Sequence, residues 1–431
     1  MSPKPTEHTV AGQIAASGTS SGLSIDPKDR EVLRRLASRV AELAARPIEQ
    51  GKRDLWYRHN ALEPTRPLVF CDPENGWNEI ITQDQLECES DLARGWEMRL
   101  TKEVFWGESM RDDRVIDPSF DISQVYSETD WGMRETYTYG GPGGAYTWDP
   151  PLKSYDDLDK LRFPEITVNR AETRRLLDLA ESVLGDILTV RLKSVWWWSF
   201  GMTWQAIRLR GLEQLMIDMF DNPQGLHRLM SILRDGHLAR FDFIESSGLL
   251  SLNNDGTYVG SGGFGWTREL PQPDFAGTVR TRDMWGFAES QETVGVSPDM
   301  FEEFIFRYQL PLLARFGLNC YGCCEPVDRR WHVVSNAPNL RRVSVSAWCD
   351  LADMASKLGD RYIFSWKPNP ADLAAPSFDE DRIRRDIREA LHTTRGSRVE
   401  VIMKDNHTIG RDPSRVTRWT RIVREEADSL S

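Results

Sequence analysis

Short apolar runs alternate with longer segments of helical period along most of this chain. The runs from Pro67 to Cys71, Ile187 to Lys193, Leu249 to Asn253, Asp283 to Phe287, Leu318 to Tyr321, Arg342 to Ser346, Tyr362 to Trp366 and Val399 to Met403 read as strands. Between them, Ser297-Pro298-Asp299 opens a stretch with Met300, Phe304, Tyr308 and Leu312 on one helical face. Asp379 opens another with Ile383, Ile387 and Leu391, and Asp412-Pro413 a third with Val416, Trp419 and Val423. Strand followed by helix, repeated, is the pattern of parallel strands joined by crossover helices, and eight such strands close a barrel. The expected fold class is α/β, a (β/α)8 TIM barrel.

Three regions depart from the alternation. Residues 1–25 are rich in Ser, Thr, Gly and Ala, with neither the apolar core of a signal peptide nor an arginine-rich amphipathic pattern, and are expected to be a disordered arm. Residues 26–60 form an N-terminal helical extension: Asp26 caps, Pro27 takes the first helical position, and Val32, Leu36, Val40 and Leu43 recur at helical spacing. The extension is expected to pack on the outside of the barrel, which covers 61–431. A long piece after the first strand, from about Lys102 to Asn169, is poor in periodicity and includes Tyr139-Gly140-Gly141-Pro142-Gly143-Gly144. It reads as an insertion, a lid or a subunit contact, which leaves an oligomer open. No internal repeat or shift of composition divides the rest, so one domain is expected.

Composition narrows the setting. A hydrophobic content of 40% suffices for a large core, and no run approaches the eighteen or so apolar residues of a membrane span, so no membrane partner is expected. A net charge of -12 argues against nucleic acid, whose phosphates call for basic patches. Of the 6 cysteines, Cys320, Cys323 and Cys324 sit within five residues, while Cys71, Cys88 and Cys349 are scattered. The adjacent pair does not suit a secreted disulfide framework, so a reducing cytoplasm is the expected location.

In a barrel of this kind chemistry sits where strands end and the loops to the next helices begin. That rule selects Asp72 and Glu74 after the first strand, Trp196 to Trp198 after the second, and Asn254 and Asp255 after the third. It continues with Glu289 and Gln291, Cys320 to Glu325, Trp348 to Asp350, Lys367 and Asn369, and finally Asp405 and His407. The thiol cluster suits a soft metal or thiol chemistry, with buried structural thiols, a structural zinc or a redox Cys320-x-x-Cys323 pair as alternatives. Glu289 suits a general acid or base; a salt bridge to Arg282 or Lys367 is the other reading. Gln291 beside it is a substrate contact. Lys367 either neutralises a substrate carboxylate or, the favoured reading, pairs with Asp405. Asp72 and Glu74 with Trp77, Trp197 and Trp198 allow a cationic substrate group held over tryptophan faces near carboxylates. Gly260-Ser261-Gly262-Gly263-Phe264-Gly265 lacks the lysine of a phosphate loop and reads as flexible structure near the mouth.

Several motifs together carry a resemblance. They are Pro150-Pro151-Leu152-Lys153-Ser154-Tyr155-Asp156-Asp157-Leu158 leading to Phe163-Pro164, Ser297-Pro298 before a Phe/Tyr-rich helix, and the His407 loop followed by Asp412-Pro413 and a closing helix. On these the chain from about Pro67 to Ser431 resembles the uroporphyrinogen decarboxylase superfamily. That superfamily also contains zinc-dependent methyltransferases that move methyl groups between corrinoid proteins and thiols such as coenzyme M. Its decarboxylases hold a polyanionic tetrapyrrole with arginines just beyond the first strand. Here Phe70-Cys71-Asp72-Pro73-Glu74-Asn75-Gly76-Trp77 places acids there, and like charges would repel a polycarboxylate. Uroporphyrinogen decarboxylation is therefore not expected.

The methyltransferase side of the resemblance implies zinc held by Cys320, Cys323, Cys324 and His407, with Glu325 as a further ligand or an acid beside the metal. The match is in outline, because the relatives use a His-x-Cys pair and a later cysteine. It implies a small-molecule thiol activated for methyl transfer, with methylcobalamin as donor, free or on a separate corrinoid protein. Two rivals stand beside it. One is a lyase or decarboxylase of a small non-porphyrin substrate, with Glu289 or Asp72 as proton donor and structural cysteines. The other is a non-catalytic binder of a corrinoid, tetrapyrrole or metal.

Overall fold

A computed structural model describes residues 24–139 and 146–430. Most of the expected arm and Gly140 to Gly144 lie outside them. The centre is a six-stranded, wholly parallel sheet of Leu68–Cys71, Arg398–Met403, Ile363–Trp366, Leu340–Val345, Leu318–Tyr321 and Trp285–Ala288, in that spatial order. Each of these matches an expected strand within two residues at either end. Helices alternate with them, among them Leu351–Leu358, Glu380–Thr393 and Ser414–Ser429. Of the caps expected between strands, two form: Ser297 Oγ accepts from the Met300 N–H at 3.3 Å, and Asp379 Oδ1 from the Arg382 N–H at 3.0 Å, whereas the helix Ser414–Ser429 has no side-chain cap.

Two expected strands do not join this sheet. The run from Ile187 to Lys193 is extended over Thr189–Leu192, but it pairs with Ser119–Ile122 in a small parallel sheet of its own. Leu249 to Asn253 is not a strand. Its side chains replace the backbone ladder: Asn253 Oδ1 accepts from the Trp285 N–H at 2.9 Å and Asn253 Nδ2 donates to the Trp285 carbonyl at 3.0 Å. The opposite edge is closed in the same way. Asp113 Oδ2 accepts from the Val69 N–H at 2.8 Å and Asp112 Oδ2 from the Cys71 N–H at 3.1 Å. Both edges thus find partners for amides that would otherwise stay unpaired.

Register and the period of two sort the strands into faces. Glu400 lies level with Leu68 and Ser365, Ser344 with Ser365, Cys320 with Arg342, and Phe287 with Cys320. One face therefore carries Phe70, Glu400, Ile402, Ser365, Arg342, Ser344, Cys320 and Phe287. The other carries Val69, Cys71, Val401, Met403, Phe364, Val343 and Val345. These pack in one core with Met354, Ile383, Ile387, Leu391, Val416, Trp419 and Val423 from the helices. The helices cover an apolar face, and the opposite face holds buried polar groups.

The extension does not simply lie outside. Its helix Pro47–Asn60 ends with His59 and Asn60 fully buried, and the Asn60 amide donates to the Phe264 and Trp266 carbonyls at 2.9 and 2.7 Å. The region from 102 to 169 opens in the end of the helix Asp91–Phe105 and its continuation Trp106–Met110, then runs through short strands, including the antiparallel pair Thr136–Tyr139 and Tyr146–Asp149, and the short helix Tyr155–Lys160. Among the described residues no helix is long and apolar enough to cross a membrane.

Candidate functional site

The strand Leu318–Tyr321 ends at Gly322, whose φ of +89° turns the chain where a side chain would be strained. The turn delivers Cys323, buried, and Cys324, half-buried, to the C-terminal edge of the sheet. Cys323 Sγ accepts from the Ser261 hydroxyl at 3.3 Å. Cys324 Sγ stands 3.6 Å from Cys323 Sγ and 3.3 Å from Asp405 Oδ2, so its one proton lies between two acceptors. The hydrogen bond from Cys324, outweighing burial and helped by the Lys404 ammonium, pulls the Cys323 thiol below its ordinary range. The same bond and burial push Cys324 far up. Of the pair, Cys323 is the more acidic thiol and Cys324 the one that holds its proton more tightly.

Lys404 lies two residues beyond Ile402 on the same alternation. Burial opposes its charge, but Tyr258, Cys323, Asp405 and Glu74 hold the ammonium well above its usual pKa. It pairs with Glu74 and Asp405, both at 3.4 Å, and sits 5.8 Å from the Trp198 ring. Glu74 also accepts from the Asp405 N–H at 3.1 Å, and burial raises its carboxyl. Trp198 and Tyr258 line a narrow cavity of about 40 Å³ with Trp197, Gly260 and Phe287.

Two more carboxyls stand behind Cys323. Glu325 is fully buried, accepting from the Ser290 N–H and the Cys323 N–H, both at 2.8 Å. Glu289, at the end of Trp285–Ala288, accepts from the Ser199 hydroxyl at 3.1 Å and the Gln291 N–H at 3.0 Å. Burial first, then the charges of Glu292 and Glu325, raise Glu289 well above a carboxylate's usual range; burial raises Glu325 too. The expected salt bridge of Glu289 does not form: Arg282 pairs with Asp274, and Lys367 turns to Ser365. Gln291 takes part through its backbone N–H.

Deeper on the same face the polar groups are already matched. Arg342 pairs with Glu400 at 2.9 Å and donates to Asn60 Oδ1 at 2.7 Å, while His59 Nε2 lies 3.2 Å from Glu400. Burial would raise Glu400, but Arg342 and His59 overcome it and hold its carboxyl far down. Cys320 belongs here: its sulfur accepts from Arg342 at 3.7 Å, and burial keeps it a thiol. Lys367 donates to Ser365 Oγ at 2.6 Å and to the Ser365 carbonyl at 3.1 Å, correcting the expected pairing with Asp405. Burial lowers its ammonium to about 8.

The remaining expected residues fall apart from this centre. Asp72 accepts from the Trp77 indole at 2.8 Å, and Trp77 is wedged against Phe105 and Trp106. Trp197 packs on Phe241 and Phe316, whereas Trp198 faces Phe287. The three tryptophans therefore do not form one wall for a cation. His407 is exposed, its Nδ1 3.3 Å from the Asn75 amide nitrogen. The segment Asp405-x-His407-x-x-Gly410 has the spacing of a corrinoid-ligating loop, but the Asp405 carboxylate faces Cys324 and Lys404.

The zinc that the resemblance implies needs a set of thiolate, imidazole or carboxylate donors around one point. Among the described residues no group of three or more His, Cys, Asp or Glu is so placed. Cys320 is bonded to Arg342, His407 lies at the surface, and Cys323, Cys324 and Asp405 follow one another in a chain of contacts. The residues present do not fit zinc, and no step of the chemistry passes through it.

Lys404, Ser261, Tyr258, Arg342 and Glu400 were not among the expected site residues. The signal for three of them is in the strands: Arg342-x-Ser344-x-Ser346, Ser365-x-Lys367 and Glu400-x-Ile402-x-Lys404 put polar groups at alternate places inside apolar runs. The loop from Gly260 to Gly265 is a matter of close approach more than flexibility. A Cβ on Gly260 would lie 2.8 Å from the Cys320 Cβ, and one on Gly263 would lie 2.3 Å from the Arg342 guanidinium carbon.

No family model matches the chain, and no curated protein matches it. Among solved structures it is similar to a methyltransferase from Methanosarcina mazei, at 12% identity and a TM-score of 0.48, over 88% of this chain and 97% of that one. The chemistry rests on the residues themselves.

Proposed function

We propose that this chain is a methyltransferase that delivers a methyl group to a thiol, with Cys323 as the base that takes the thiol's proton. The observation that carries the reading is the setting of Cys323. Its sulfur receives the Ser261 hydroxyl, touches the proton of Cys324 and faces the buried Lys404 ammonium at the C-terminal edge of a parallel sheet. The consecutive order of the six strands, with Asn253 and Asp112–Asp113 docked on the two outer edges, supports reading the sheet as the larger part of an eight-stranded barrel.

The steps use groups of this chain. An acceptor thiol gives its proton to Cys323 Sγ, the weaker base of the two, so the transfer is uphill until the new thiolate is stabilised. Once Cys323 is neutral, the Lys404 ammonium attracts the acceptor thiolate instead. The thiolate sulfur displaces the donor's leaving group from the methyl carbon, forming a thioether. The proton on Cys323 leaves by way of Cys324 and the half-exposed Asp405. A corrinoid, free or carried by another protein, is the donor class proposed.

Purified protein incubated with methylcobalamin and a small thiol, with the thioether followed by mass spectrometry, tests this. The expected result is turnover that falls roughly 10²-fold or more in Cys323→Ser. Thioether formed no faster than in buffer, or at an equal rate by the serine variant, removes the proposal.

A further inference from the structure

The proposed transfer uses one sulfur of an adjacent pair as its base and the other only to pass the proton on. The two sulfurs are 3.6 Å apart and a disulfide needs about 2 Å; because adjacent Cα atoms stand only about 3.8 Å apart, closure forms a small ring that strains the peptide between them and leaves the bond easily reduced. The two differ in the way a two-step oxidation requires. Cys323 has hydrogen-bond donors on its sulfur and a cation nearby, the setting of an attacking thiolate. Cys324 donates to Asp405 Oδ2 at 3.3 Å and is half-buried, so one residue of the pair is open to solvent while the other is enclosed. The third cysteine of the cluster is held away from the pair by its own bond to Arg342.

We propose that Cys323 and Cys324 form a peroxide-sensitive modification site, closing to a disulfide between adjacent residues. The Cys323 sulfur attacks one oxygen of hydrogen peroxide, breaking the O–O bond and releasing hydroxide, which takes up the proton Cys323 had shed and leaves as water. The Cys324 sulfur then displaces the oxygen from the Cys323 sulfenic acid, and that oxygen leaves with the Cys324 proton as a second water. Two sulfurs are oxidised and one peroxide is reduced. The product has no thiolate on Cys323 and no S–H toward Asp405, so the site is silenced until a thiol reductant reopens it.

This rests on the reading of Cys323 as the site's thiolate, and a mass measurement tests it without any methyl-transfer assay. The reduced full chain is treated with about one equivalent of hydrogen peroxide, its remaining thiols are alkylated, and intact and peptide masses are read. The expected result is a loss of about 2 Da, two fewer alkylated cysteines, and a bond mapped to Cys323–Cys324 that dithiothreitol reverses. Cys320→Ser keeps the loss and Cys324→Ser abolishes it. A bond mapped to Cys320, a loss that survives in Cys324→Ser, or oxygen added to Cys323 with no loss of about 2 Da overturns the proposal. Catalysis that fails while the disulfide forms rejects methyl transfer alone.

Discussion

At the scale of single residues, the site is a set of groups whose protonation is decided by their neighbours. Lys404 pairs with the Glu74 and Asp405 carboxylates and favours the Cys323 thiolate. Replacing it by Met should raise the Cys323 pKa, and the pH at which iodoacetamide labels Cys323 should move up with it. A labelling curve that stays in place would deny Lys404 this role. Glu289 offers the opposite case. Its folded pKa lies above its unfolded value of about 4.3, so the folded state binds the extra proton and stability falls as pH rises from there toward the folded value. Glu289→Gln removes that fall. Its melting temperature should exceed the parent's at pH 8 and the difference should shrink toward pH 4. An equal difference at both pH values would mean that the Glu289 carboxyl is not held protonated.

At the scale of elements, six strands were legible because each is an apolar run flanked by turn residues, buried on both faces. Leu249 to Asn253 has the same composition and is no strand, because Asn253 and Ser251 satisfy the neighbouring amides with side chains, an arrangement periodicity cannot register. The glycine loop was visible as glycines, but its purpose lies in what it approaches. Gly260 has a φ of +68° and its hydrogen faces the Cys320 side chain. Gly260→Ala should therefore cost about 1–3 kcal/mol in urea unfolding, from the strained backbone and the overpacked contact together. The same substitution at Gly51, which has open space where a Cβ would stand, should stabilise its helix by about 0.5–1 kcal/mol. A Gly260→Ala variant as stable as Gly51→Ala would show that the approach to Cys320 is relaxed.

At the scale of the whole molecule, distant parts of the chain meet at one buried ion pair. Arg342 and Glu400 lie on two strands, Ser365 hydrogen-bonds Glu400 from the strand between them, and His59 and Asn60 reach in from the N-terminal extension. The sequence pattern showed charges inside apolar strands but not which would face which, because register follows from pairing and not from composition. Glu400→Gln leaves the Arg342 guanidinium buried without its countercharge, which should cost about 3–5 kcal/mol in denaturant unfolding at neutral pH. The parent's Glu400 contribution is present above the unfolded pKa of about 4.3 and is lost as pH falls through the lower folded value, so the gap between parent and variant should narrow in acid. Removing Arg342 as well tests whether the penalty belongs to the orphaned charge or to the lost contact. If it is the charge, Arg342→Met combined with Glu400→Gln should be more stable than Glu400→Gln alone, because the second change removes the group that the first left unpaired. If the double variant is weaker by the sum of the two single losses, the pair is not coupled.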